Sequence, residues 1–107
     1  MTQPGGQQAA LPDLMDEVKK ILERVLMVDP EDLAPEAELV RDLGAESIDF
    51  VDLIFQLEDL TARRVTAEDW DGWIKARLPN PEKGEGITVS VVHEFAQYLT
   101  VHPSQEL

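Results

Sequence analysis

At 107 residues the chain has the length of one domain with one modest core, and its 43% hydrophobic and 29% charged residues are those of a globular protein. No apolar run approaches the roughly 18 residues of a membrane span, which argues against membrane insertion. Acids outnumber bases 22 to 9, a net charge of -13 that disfavours nucleic acid and favours basic partners; without cysteine, any thiol chemistry needs a thiol from elsewhere.

The first ten residues, MTQPGGQQAA, carry neither the cationic nor the apolar segment of a secretion signal. Their Gly, Gln and Pro content predicts a disordered lead (1–10) before a domain over 11–102, with 103–107 as a tail. A chain with no signal and no cysteine is assigned to the cytoplasm.

The first helix is predicted in LPDLMDEVKKILERVLMV, with Asp13 as N-cap, Leu11 as a hydrophobic staple, and Asp16 and Glu17 in the first turn. Leu14, Val18, Ile21, Leu22 and Val25 recur at the spacing of one buried face, opposite Lys19, Lys20, Glu23 and Arg24. The following DPEDLAPEAELVRDLGAE holds two prolines, many acids and scattered Leu33, Leu39, Val40 and Leu43, and reads as a long loop pinned to the core by its isolated leucines. A loop this long in a small domain is often functional.

The second helix is placed from Ser47, a candidate cap, to about Leu60. A third starts near TAEDW, where Thr66 and Asp69 stand at capping-box spacing and Trp70, Trp73, Ile74 and Leu78 mark the apolar side; Gly72 weakens it. PNPEKGEG is a loop by composition. A last helix carries Val91, Val92, Phe95, Tyr98 and Leu99 on one face, and the alternating GITVSV leaves room for a short extended lead-in before it. Four amphipathic helices with a long first loop make an all-α four-helix bundle.

The second helix is unusual in having two apolar sides. At about 100° per residue, Phe50, Leu53, Ile54, Leu57 and Leu60 fall on one broad side, while Ile48, Val51 and Phe55 gather on the other. Asp49, Asp52, Glu58 and Asp59 surround this second stripe, and no Lys or Arg occurs from Asp42 to Leu60. Two readings fit: the stripe is covered by the third helix or the long loop, or it is a docking surface on which acids set encounter and orientation and apolar groups supply desolvation energy. Ser47 likewise has two readings. It can cap the helix, or its hydroxyl can hold an anionic group where free N–H donors and the positive end of the helix dipole stabilise charge.

The run DLGAESIDFVDLIFQLE resembles, without a gap, the signature of acyl carrier proteins, in which Asp-Ser-Leu follows Asp-Leu-Gly and an acidic, hydrophobic helix comes next. Asp42, Leu43, Gly44, Ser47, Asp49, Leu53 and Glu58 carry the correspondence. The resemblance implies an acyl-carrier bundle with an enlarged helix-3 region, in which Ser47 is esterified with 4′-phosphopantetheine from coenzyme A and acyl chains ride on the borrowed thiol. It implies partner contacts at Glu46, Ile48, Asp49, Val51, Asp52 and Phe55. The implied partners are a phosphopantetheinyl transferase, an acyl-ACP synthase or ligase, and ketosynthase or acyltransferase enzymes with basic docking surfaces, all met by a monomeric carrier of fatty acid, lipid or related acyl-chain biosynthesis, with a fatty acid, a polyketide intermediate or an amino acid as cargo. Two departures are visible. Glu46 stands where the family has Asp, and residues 63–90 are longer than the family's short third helix. Asp49-Phe50 together with Val65 to Trp70 is similar to specialised carriers, including those for very long acyl chains of lipid A; Trp70 and Trp73 read as core anchors.

The rival readings are weaker. A hydrolase built on Ser47 with His93 or His102 lacks the G-x-S-x-G elbow and any triad spacing, and His93 falls on a polar face. Asp29, Glu31 and Asp32 lack the ligand spacing and glycine of a calcium loop, so no metal site and no enzyme are expected. A helical adaptor of the same fold that carries no prosthetic group and binds basic partners through the stripe is the alternative to a carrier.

Overall fold

The computed structural model describes residues 14–80 and 84–101. These residues include four helices, α1 (Met15–Leu26), α2 (Ser47–Thr61), α3 (Ala67–Lys75) and α4 (Val89–Val101), with a one-turn 3₁₀ helix at Pro30–Asp32 in the long first loop. The all-α bundle expected from periodicity is the fold. The cap and staple assigned to Asp13 and Leu11, the lead 1–10 and the tail 103–107 lie outside the described residues.

α1 buries Val18, Ile21 and Leu22, the face its spacing predicts, and ends at Met27 in the left-handed conformation (φ 56°, ψ 50°). It packs against α2 and α4, and α2 in turn touches α4 and α3. α2 faces this interior with Leu53 and Leu57 fully buried and with Phe50, Ile54 and Leu60 packed at the edge of the core. α3 starts as its sequence dictates: the Thr66 hydroxyl accepts the Asp69 N–H at 3.0 Å, and the Asp69 carboxylate accepts the Thr66 N–H at 3.0 Å. Two of the four orphan donors at a helix start are thereby satisfied.

The tryptophans are core anchors. Trp70 meets Phe95 edge-on with ring centroids 5.1 Å apart, Trp73 meets Phe95 at 5.2 Å, and Phe50 approaches Trp70 at 6.1 Å. This aromatic cluster ties α3 to both α2 and α4, and each such pair adds about 0.5–1.5 kcal/mol beyond area burial. Gly72 sits inside α3 without breaking it. Leu78, assigned to the apolar side of α3, lies past the helix end and is half-buried in the following turn.

The first loop is held by Leu33 and Leu39, each 1% exposed, and by Leu43 at the core's edge. Val40 lies at the surface, 36% exposed, with its side chain beside Gly84. The extended lead-in to α4 is present. Glu38 and Thr88 form an antiparallel bridge in which the Leu39 N–H donates to the Ile87 carbonyl at 2.9 Å and the Val89 N–H donates to the Ala37 carbonyl at 3.0 Å. Among the described residues no helix is long and apolar enough to cross a membrane.

Candidate functional site

The loop that leads into α2 is wound tightly by its own backbone. The N–H groups of Asp42 and Leu43 both donate to the Glu38 carbonyl, Gly44 donates to Val40, and Ala45 donates to Leu39 at 2.8 Å. Gly44 sits at φ +74°, in the left-handed region that a side chain resists, with open space where a Cβ would stand. Asp42 reaches back to accept the Glu38 N–H at 2.8 Å and takes a longer contact from Arg41 Nε at 3.4 Å. The backbone hydrogen bond from Glu38, reinforced by Arg41, holds the Asp42 carboxyl below its usual range.

The start of α2 departs from the reading of Ser47 as cap. Glu46 is the N-cap, extended at φ -114° and ψ 170°, and Ser47 is the first helical residue. The carboxylate of Asp49 accepts the Glu46 N–H at 2.8 Å, so the cap is made one residue before the serine and by an acid three positions on. The Ser47 side chain is exposed and the cap does not use its hydroxyl. By helix geometry the N–H groups of Ser47 and Ile48 have no intrahelical acceptor, and the positive end of the helix dipole adds to them.

The second stripe is bare. Ile48, Val51 and Phe55 are 71%, 54% and 63% exposed, so neither α3 nor the long loop covers them. Their spacing of three and four places them on one strip of helix surface that begins beside Ser47. Glu46, Asp52 and Asp59 are exposed around it. Two of the acids have local work: Asp49, partly buried, caps the helix, and Glu58 turns away to accept the Val65 N–H at 2.8 Å, which closes the turn after α2. The spacing from Glu46 to Asp49 is the same as that from Thr66 to Asp69, so the sequence did contain the signal for this cap. Nothing local announced the Glu58 contact.

The residues of the rival readings do not assemble. His93 lies on α4, partly buried, and His102 is outside the described residues. Asp32 is used to accept the Asp29 N–H at 3.2 Å in the 3₁₀ turn.

Comparison with known proteins matches residues 16–71, just over half of the chain, to the family described as "Phosphopantetheine attachment site". The chain is 33% identical over 58 residues to "Acyl carrier protein 2" of Ralstonia nicotianae, covering 54% of this chain and 72% of that protein. It is 31% identical over 75 residues to "Acyl carrier protein" of Karelsulcia muelleri, covering 62% of this chain and 90% of that one. A third relative, "Acyl carrier protein" of Thermosynechococcus vestitus, is 45% identical over 47 residues, 44% of this chain and 58% of the other. With the attachment-site match spanning α1 to the first half of α3 and the four-helix bundle formed around it, the chain belongs to the acyl carrier protein family, whose expected prosthetic group is 4′-phosphopantetheine.

Proposed function

We propose that Ser47 is the residue esterified with 4′-phosphopantetheine, and that the protein presents acyl groups to a succession of biosynthetic enzymes. The observation that carries this reading is the division of labour at the start of α2: Asp49 and Glu46 make the cap, leaving an exposed hydroxyl at the tip of the helix that the cap does not need. The site fits the group. A phosphodiester on Ser47 Oγ would sit where the helix's orphan N–H groups and its dipole favour negative charge. Ser47 is itself exposed, which leaves it accessible to a transferase. Once attached, the group supplies the thiol that this cysteine-free chain lacks, and acyl chains are carried on it as thioesters.

The protein's own contribution is presentation. Ile48, Val51 and Phe55 form the apolar contact for a partner, with Glu46, Asp49 and Asp52 as its acidic border. A basic groove on a transferase, an acyl-ACP synthase or ligase, a ketosynthase or an acyltransferase would meet them. A small charge-steered surface suits brief, repeated docking, because steering raises the association rate while limited apolar area keeps release fast. We place the protein in the cytoplasm, as a monomer serving fatty acid, lipid or related acyl-chain biosynthesis. Its similarity to carriers of very long acyl chains rests on Asp49-Phe50 and the segment from Val65 to Trp70 alone.

The test is modification in vitro. Apo protein incubated with coenzyme A and a promiscuous phosphopantetheinyl transferase should gain the mass of one phosphopantetheine, and Ser47→Ala should gain none. If wild type gains nothing, the stripe belongs to a helical adaptor that docks basic partners without a prosthetic group.

A further inference from the structure

The lengthened segment between α3 and α4 does more than join two helices. It reaches across to the loop that delivers Ser47 and grips it at two points. One is the bridge, where Leu39 donates to Ile87 at 2.9 Å, Val89 to Ala37 at 3.0 Å and Ser90 to Pro35 at 2.9 Å. The other is Gly84, held at φ +76° with its backbone so close to Val40 that a Cβ would stand 2.6 Å from Val40 Cγ2. Between them, Gly86 N–H points at Glu38 Oε1 at 3.4 Å, and Arg41 lies 3.3 Å from the other oxygen of the same carboxylate.

The gripped residues are those that wind the turn before the serine. The Val40 carbonyl accepts the Gly44 N–H, the Leu39 carbonyl accepts the Ala45 N–H, and the Glu38 carbonyl accepts Asp42 and Leu43. Ala45 is buried, and the next residue, Glu46, is the cap on which Ser47 follows. A displacement of Val40 therefore passes through one hydrogen bond to Gly44 and along three peptide units to the reactive hydroxyl.

We propose that Gly84 is a positioning residue for Ser47: the segment Gly84–Val89 clasps the turn from Glu38 to Ala45 and so fixes where the hydroxyl stands relative to the docking stripe. This rests on the assignment of Ser47 as the modified residue. Gly84 acts through Val40 and touches neither substrate nor partner. The two functions of the site are separable, since the stripe lies along α2 beyond the serine while the clasp acts upstream of it. Disturbing the clasp impairs the chemical step and leaves docking through Ile48, Val51 and Phe55 intact; Glu46, on the path to Ser47, is the one border acid that it moves.

The experiment is steady-state transfer of phosphopantetheine from coenzyme A by a phosphopantetheinyl transferase, with the carrier as varied substrate. For Gly84→Ala the expected result is a fall in kcat of about tenfold with KM within twofold of wild type, since a misplacement of order 1 Å is enough for such a loss. Val40→Ala in the same chain removes both methyls and leaves only Val40 Cβ, 3.3 Å from the new Cβ, so the double variant recovers most of the kcat of Val40→Ala alone. Its melting temperature stays below that of Val40→Ala, because the positive φ still strains an alanine at 84. A merely structural role would make rate and melting temperature move together. Glu38→Ala, which strains no backbone and removes the acceptor of Gly86, serves if Gly84→Ala does not fold; a two- to threefold drop in kcat at unchanged KM is expected. Wild-type kcat in Gly84→Ala, or in Glu38→Ala if Gly84→Ala does not fold, overturns the clasp, as does a loss that Val40→Ala fails to relieve. An unmodified wild type would overturn the Ser47 assignment and the clasp with it.

Discussion

Leu57 and Phe55 are two positions apart on α2, and truncating each to alanine separates the two sides of that helix. Leu57 is 0% exposed in the core shared with α1 and α4. Removing its buried methyls and leaving a partly collapsed cavity costs about 3 kcal/mol, a large share of the roughly 5–10 kcal/mol that holds a small domain together. Phe55 has little over a third of its surface covered. Scaling the ~3 kcal/mol of a fully buried aromatic by that fraction gives about 1 kcal/mol, and the better helix propensity of alanine offsets about half of it. With a urea dependence of about 1–1.5 kcal/mol per molar, Leu57→Ala should lower the unfolding midpoint by about 2–3 M and Phe55→Ala by less than about 0.5 M. The assay is urea unfolding followed by far-UV circular dichroism, paired with transferase kinetics on the same samples under native conditions. Phe55→Ala should raise KM about tenfold, as loss of an interface aromatic does, while the folded fraction of Leu57→Ala docks like wild type. Equal destabilisation by the two substitutions would refute the reasoning, since it would mean that Phe55 is covered after all.

Asp49→Ala removes the acceptor of the Glu46 N–H and should cost about 1 kcal/mol in thermal or urea unfolding, whereas Asp49→Asn keeps an acceptor and should cost less than half of that. Asp52, exposed and engaged in no cap, is the cleaner position for charge reversal: Asp52→Lys should raise KM with a cognate enzyme and flatten its salt dependence at unchanged melting temperature. The folded state holds the Asp42 carboxyl below its unfolded value of 3.8, chiefly through the Glu38 N–H, so its contribution is complete above that value and fades as pH falls through the depressed folded one. The melting-temperature gap between wild type and Asp42→Ala should therefore be constant from neutral pH down to about 5 and narrow below about 4, with a pH-independent gap counting against the hydrogen bond.

The parts of this protein that a reader of the sequence alone could place are those whose causes are local. One-faced periodicity located α1, the Thr66 and Asp69 pair located the start of α3, and a run of seventeen residues from Asp42 carried the family signature and the two stripes of α2. Each depends on neighbours within a turn or two of chain, where spacing determines geometry. Tertiary structure decided what depends on distant neighbours. Whether Ile48, Val51 and Phe55 are wet turns on what α3 and the first loop cover, and exposure is a property of the whole packed chain. Ser47 was freed from capping by Asp49 and by the extended backbone of Glu46, one residue away from where the pattern alone put the cap. The contacts of Gly84 with Val40 and of Ile87 with Leu39 join segments far apart in sequence, and no periodicity encodes such a meeting, because it exists only once the core has brought the two loops to the same side of the bundle.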